Sequence, residues 1–408
     1  MVYFFYYIPV GIDAQLRRIP AITYFFAGLC VFVFAGQRYG SGVLPFEFER
    51  LAYFPDIGSI TTAITATFLH LGYFHVIGNL IYLLLFGRYV EDRFGGVLFT
   101  VVFLGCGALG NIVQGWFNTA VLHDPYVGII GASGAVSGML GAFTVRFLTN
   151  KIRVAYWVFM PLQAYTRAGY AQIPAIFALA SWFVLQLAQG LLQAGGFGGD
   201  VAYVAHISGF VFGALAAVVS GQFREGRIES LARRAAAYVR KGEAYAAQGD
   251  YLEYLAHRPA DVEARAGLAR AMAMTGDREG AREHYRKACE RLMAAKQRGE
   301  AQALYQEAVR GIEDFALGAD DQLTMAFSLE RDLKPRLAVH AYEMFVAKYP
   351  AHPDSPLALL RAAGIHMNSF SDPNTADALY GRFLVNFPRD TWADFAREQR
   401  RKLAFRAC

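Results

Sequence analysis

Four side chains in the first half of this 408-residue chain could together carry out acyl transfer: Ser133, His206, His75 and Asn79. A hydroxyl becomes a nucleophile once a nearby base takes its proton, and imidazole or carboxamide N–H groups can hold the anion that forms. The local sequence leaves these groups accessible. In Gly131-Ala132-Ser133-Gly134 no bulky neighbour shields the hydroxyl, and in His206-Ile207-Ser208-Gly209-Phe210-Val211-Phe212-Gly213 two glycines four apart let a helix approach its neighbour closely. On a helix, His75 and Asn79 share one face, and His70 stands about 140° round from His75. Taken singly, each residue has a plainer use, as a small residue in a helix seam or as an interhelical hydrogen bond. Asn111, Gln114 and Gln186 read as packing polar groups or as the lining of a water path. His123 beside Asp124 reads as solvated, and Asp200 as a loop acid outside the site.

The elements that must position these groups follow from charge. Only 18 charged residues fall in the first 222 positions, whereas 55 fall in the last 186. One soluble domain would not show that contrast; a membrane half joined to a soluble half would. A plain cytosolic enzyme, a disordered chain and a secreted disulfide scaffold are thereby excluded. Of four cysteines, Cys30 and Cys106 lie inside apolar runs and Cys408 is the last residue.

Six apolar stretches are candidates to cross a bilayer: Ile19–Gly36, Ala66–Gly87, Val97–Phe117, Gly128–Leu148, Ile173–Leu192 and Val201–Ser220. Arg17, Arg18, Arg88, Arg93, Arg146, Lys151, Arg153, Arg167, Arg224 and Arg227 fall on one side of them, and only Arg38 and Arg50 on the other. Cytoplasmic loops collect Lys and Arg, so both termini are expected in the cytoplasm and loops 37–65, 118–127 and 193–200 outside. Met1–Val10 is too short to span and is expected to be an interfacial or buried tail. Val154–Gln172, interrupted by Pro161 and Arg167, is expected to be an interfacial stretch.

Depth then sharpens the chemistry. His75 precedes Arg88 by 13 residues, Ser133 precedes Arg146 by 13, and His206 precedes Arg224 by 18. At helical rise these groups stand roughly 20–27 Å above the cytoplasmic charges, at one level in the outer half of the membrane.

From about Leu231 the composition turns to Ala, Arg, Glu and Tyr with helical periodicity. Ala338, Tyr342, Phe345 and Pro350 recur as Ala376, Tyr380, Phe383 and Pro388, 38 residues on. A looser unit has small residues at Ala269, Gly276, Ala281 and Ala288, where helices approach, and larger ones at Leu268, Met272 and Tyr285. These offsets resemble the tetratricopeptide repeat, a stacked helical hairpin of about 34 residues; an ordinary helical bundle is the alternative. His257, His284, His340, His352 and His366 show no metal-ligand spacing.

The GASG at Gly131–Gly134, the AHISGFVFG around His206, the His70, His75 and Asn79 arrangement and Glu91-Asp92-Arg93 together resemble a rhomboid intramembrane serine protease over about residues 15–223. The resemblance implies a Ser–His dyad, with Ser133 as nucleophile and His206 as general base. It also implies an oxyanion hole of His75, Asn79 and the Ser133 backbone N–H, with Glu91 and Arg93 as structural ties. The chain departs from some relatives in having Ser137 where an aromatic would stack on the histidine, and in lacking a Trp-Arg pair in the first outer loop.

The expected fold is all-α: a polytopic six-span membrane helical bundle followed by a soluble α-helical repeat domain. The expected limits are 1–18 for a cytoplasmic tail, 19–223 for the protease domain, 224–232 for a linker and 233–408 for the repeats. Transmembrane protein substrates, the lipid bilayer and a cytosolic partner or self-association through the repeats are the expected partners, with no cofactor, metal or nucleic acid. The expected location is the cell (inner) membrane. The alternative is a non-catalytic rhomboid-like adaptor; a small-solute transporter lacks the inverted repeats and broken helices of many carriers.

Overall fold

The computed structural model describes residues 4–40, 48–160, 165–197 and 201–406. It divides into two compact units, Met1–Arg227 and Ile228–Cys408. Both are mostly helical.

The first unit opens with strand β1 (Phe4–Ile12) and helix α1 (Ala21–Tyr39). After the short α2 (Ile60–Thr65), α3 (Tyr73–Tyr82) runs through a π-helical turn at Leu83–Gly87 into α4 (Arg88–Phe94). Then come α5 (Gly96–Ala120), α6 (Ser133–Arg146), strands β2 (Lys151–Met160) and β3 (Tyr165–Pro174), α7 (Ala175–Ala194) and α8 (Tyr203–Val219). Among the described residues, four helices are long and apolar enough to cross a bilayer: α1, the continuous Tyr73–Phe94, α5 and α7; α8 with the next helix α9 (Gln222–Lys241) makes a fifth if that bent pair is one span. The six expected spans differ from this for a geometric reason. α6 has 14 residues and α8 has 17, about 21 and 26 Å of helix against a hydrocarbon core of about 30 Å.

Two expected span starts move inward. Residues 128–132 are apolar yet form a loop, because Ile129 pairs with Tyr53 through N···O contacts of 2.8 and 3.2 Å and the Gly131 N–H donates to the Ala66 carbonyl at 2.9 Å. Gly131 has φ 131°, in the region that favours glycine, and α6 begins two residues later. Likewise Ala66–Phe68 is a 3₁₀ turn followed by extended chain, so the second span begins at Tyr73 and His70 lies before it.

The Phe94 end of that second span is tied by carboxylates. Glu91 accepts from Ile22 N–H (2.9 Å), Thr23 N–H (2.7 Å) and Thr23 Oγ1 (2.6 Å), the start of α1. A helix start has unpartnered N–H groups and the positive end of the peptide dipoles, which a buried carboxylate satisfies. Asp92 accepts from the Arg17 and Arg18 N–H groups, each at 2.8 Å, and pairs with Arg93.

The two apolar stretches expected at the interface are strands. β1 pairs antiparallel with β2, with a register shift between Pro9 and Gly11, and β2 pairs antiparallel with β3. Asp13 fastens the sheet to the end of α6 by accepting from Asn150 Nδ2 and from the Lys151 N–H, both at 2.8 Å. Pro161 lies outside the described residues.

At the centre, α6 and α8 meet through glycine. A methyl at Gly213 would fall on the Gly138 carbonyl oxygen, one at Gly209 on that of Gly134, and one at Gly141 on that of Phe210. A methyl at Gly110 of α5 would stand 3.1 Å from the Ala205 carbonyl. This close approach brings the starts of α6 and α8 together.

The second unit is a run of helices, α10 (Ala244–His257) through α18 (Ala393–Arg406). In α15 (Pro335–Lys348) Ala338, Tyr342 and Phe345 are fully buried; in α17 (Pro373–Asn386) Ala376, Tyr380 and Phe383 are buried at matching positions. Pro350 and Pro388 stand just past these helices, where proline is common. Between α11 (Val262–Met274) and α12 (Arg278–Ala294), Gly276 sits at the turn with φ 84°, so it serves the backbone rather than a helix seam. Residues 224–232, expected as a linker, lie within α9.

Candidate active site

Ser133 is the first residue of α6. The first intrahelical bond runs from the Val136 N–H to the Ala132 carbonyl at 2.8 Å, which leaves the N–H groups of residues 133–135 without a partner inside the helix. Such a helix start favours negative charge. Gly131 lies between Ser133 and His75: a Cβ there would be 3.6 Å from Ser133 Oγ and 2.8 and 3.0 Å from His75 Cε1 and Nε2. Only glycine leaves that space open.

His75 is in the first turn of α3, and Asn79 follows one turn later. His206 is in the first turn of α8. Ser133, His206, His75 and Asn79 all line one cavity of about 850 Å³, with Gln114, Trp182 and Gln186 further along its wall. Asn79 Nδ2 is buried with no hydrogen-bond partner among the described residues, a donor left unused inside the cavity. Asp124 and Val127 of the loop after α5 also line the cavity.

The remaining polar groups divide in ways their sequence positions do not show. Gln114 Oε1 accepts from the Ala205 N–H at 3.0 Å while its Nε2 donates to Asn118 Oδ1 at 2.7 Å, so α5 holds the start of α8 one residue before His206. Asn111 Nδ2 donates to the Ala63 carbonyl at 2.8 Å, a tie between α5 and α2. His70 Nδ1 is 3.2 Å from the Phe68 carbonyl, its N–H donates to Gln37 Oε1 at 3.0 Å, and its ring stands 5.2 Å from that of His75. It supports His75 and does not line the cavity. Ser137 donates to the Ser133 carbonyl at 2.7 Å and Ser208 to that of Val204 at 2.7 Å, both within their own helices. Asp200 lies outside the described residues.

Gln186 is the residue whose role sequence reasoning missed. Its Oε1 is 2.7 Å from His206 Nδ1, from the neighbouring helix α7. The available signal was a lone carboxamide in an apolar span, where an unpaired polar group is costly.

A hydroxyl at a helix start, an imidazole and an unused N–H donor around one cavity are parts that a serine-type acyl-transfer site requires.

Residues 58–223 match the family model described as the Rhomboid domain. The chain is 32% identical over 151 residues to RHOMBOID-like protein 1 of Arabidopsis thaliana, covering 37% of this chain and 32% of that protein. It thus spans about a third of that relative's length. It is 23% identical over 209 residues to the rhomboid protease GlpG of Haemophilus influenzae, covering 51% of this chain and 95% of that one. Among solved structures, YrrB, a TPR protein with an unusual peptide-binding site, is 15% identical with a TM-score of 0.21, covering 41% of this chain and 90% of that chain.

Proposed function

We propose that this chain, a multi-pass membrane protein whose residues 58–223 match the Rhomboid domain model, is a serine endopeptidase cutting peptide bonds in or near the transmembrane segments of other membrane proteins. In this reading Ser133 Oγ attacks the scissile carbonyl. His206 removes the hydroxyl proton and returns it to the leaving amine, and Asn79 Nδ2, His75 and the Ser133 N–H hold the oxyanion. The observation that carries it is the single cavity lined by Ser133, His206, His75 and Asn79, with the Asn79 amide donor unpaired among the described residues. A substrate helix would have to unwind locally to present its backbone, since a helix satisfies all its own carbonyls. Substrates with helix-destabilising residues near the cut are therefore expected.

The ten-to-two placement of Lys and Arg supports both termini in the cytoplasm and the cavity opening outward, and we adopt the cell (inner) membrane as the location. The domain limits we adopt are 1–18 for the tail, 19–223 for the protease and 233–408 for the repeats. Stacked helical hairpins suit a role in binding a cytosolic protein or a second copy of the chain.

The test is cleavage of a transmembrane substrate by the purified chain in liposomes. Ser133→Ala should abolish it and should also abolish labelling by a serine-reactive fluorophosphonate. Undiminished cleavage by Ser133→Ala would sink the dyad. An unmodified protein that neither cleaves nor labels would favour the adaptor reading.

A further inference from the structure

We infer that His206 is positioned from α7, by Gln186 and Trp182 acting as a two-point clamp, so that Gln186 is a positioning residue for the general base. The inference rests on the dyad reading above and deepens it.

The inward face of α7 is narrow. Its buried residues are Ala175, Leu179, Gln186 and Gly190, and Gln186 is the one polar side chain among them. Phe177, Val184 and Leu185 on the same helix are exposed, as expected of side chains that face lipid. A buried carboxamide on such a helix is costly unless bonded, and the bond that Gln186 makes is to the His206 ring. Trp182 lies one turn before Gln186 and so on the same face. Its ring stacks beside that of His206, with centroids 6.5 Å apart and planes 28° from parallel. Tyr203 meets the imidazole edge-on at 6.3 Å.

The bond also decides which nitrogen carries the proton. Gln186 Oε1 can only accept, so Nδ1 donates and, in the neutral ring, Nε2 keeps its lone pair. That is the tautomer a general base needs, with Nε2 available to the cavity that holds Ser133. The α6 position that could have supplied a stacking ring is Ser137, and its hydroxyl is turned back to the Ser133 carbonyl. The ring contacts of His206 include Gln186 and Trp182 of α7 and Tyr203 of its own helix. A carboxamide fixes the tautomer without adding charge, unlike the carboxylate of a three-member triad.

The test uses the full chain in liposomes with a transmembrane substrate and selectively ¹⁵N-labelled histidine. Gln186→Leu keeps the size and removes the acceptor. It should lower kcat about tenfold, the scale of one lost hydrogen bond, with KM unchanged, and should replace the single His206 Nδ1–H tautomer by a mixture. Gln186→Glu restores an acceptor and should recover most of kcat. If Gln186→Leu fails to fold, Gln186→Met takes its place. Full kcat and an unchanged tautomer in the acceptor-less variant would overturn the clamp. Equal losses in the Leu and Glu variants, with the tautomer unmoved, would also overturn it by making Gln186 a packing residue. Failure of the protease reading is separately visible, as absence of cleavage and of Ser133 labelling in the unmodified protein.

Discussion

The two units face one problem, how to hold helix against helix, and answer it with opposite side-chain choices. In the membrane unit α6 and α8 touch backbone to backbone through Gly138, Gly141, Gly209 and Gly213. In the repeat unit alanines such as Ala338, Ala341 and Ala376 mark the close approaches, and the rings of Tyr342, Phe345 and Phe383 fill the space between. The solvent explains the difference. Water rewards the burial of a large apolar side chain, whereas lipid tails are as apolar as the side chain itself, so contact in a bilayer must come from close packing. The repeat unit should therefore be damaged most by removing atoms and the membrane unit by adding them.

The largest expected effect tests the first half of that contrast. Phe345 is fully buried, and Phe345→Ala should destabilise the repeat unit by about 3–5 kcal/mol, the range for emptying an aromatic core site. Hydrogen exchange along α15 would measure it. Next in size is the opposite operation. Gly213→Ala adds one methyl where the Gly138 carbonyl oxygen already sits, and should cost about 2–3 kcal/mol by overpacking. Thermal melting in detergent would report it. A Gly213→Ala protein as stable as its parent would break the comparison, because it would mean that α6 and α8 can separate at no cost.

The same contrast explains what could be read from the sequence. Ser133, His206, His75 and Asn79, which line one cavity, stood out in the sequence because polar groups are scarce in apolar spans. Gln186 was visible as a polar residue but not as a partner of His206, since the link depends on how α7 and α8 lie side by side. The sheet was hidden for a related reason: Ile12 pairs with Ile152, far along the chain, and a short apolar run looks the same whether it is a strand or an interfacial helix. Hydropathy likewise carried the fourth span back to Gly128, because nothing in residues 128–132 reveals the backbone ties to Tyr53 and Ala66. The repeat unit was easier. Its caps are local, as where Asp261 accepts from the Ala264 N–H and Asp277 from the Gly280 N–H, and its buried positions recur at fixed offsets. In the membrane unit the cap of α1 is Glu91, 68 residues from Thr23.

The smallest expected effect contrasts carboxylates rather than helices. Glu91 is buried and bonded to backbone N–H groups, whereas Glu283 of the repeat unit is a half-exposed member of a surface cluster with Lys287 and Arg286. Hydrogen bonds from Lys287 and then Arg286 hold the Glu283 carboxyl at about 2, below its ordinary 4.5. A folded-state value below the unfolded one gives stability that is present above about pH 4.5 and is lost as the pH falls toward 2. Solvent reaches this half-exposed group and screens it, which limits the gain to about a few tenths of a kcal/mol. Glu283→Gln should therefore lower the melting temperature of the repeat unit slightly at pH 7, and the gap from the parent should close between pH 4.5 and pH 2. A gap of about 2 kcal/mol or more, the scale of a desolvated pair, would mean that the cluster is buried in the working protein. The charged face of α12 would then be an occupied surface, and the division into a side-chain-packed soluble unit and a backbone-packed membrane unit would need a third, interfacial kind of contact.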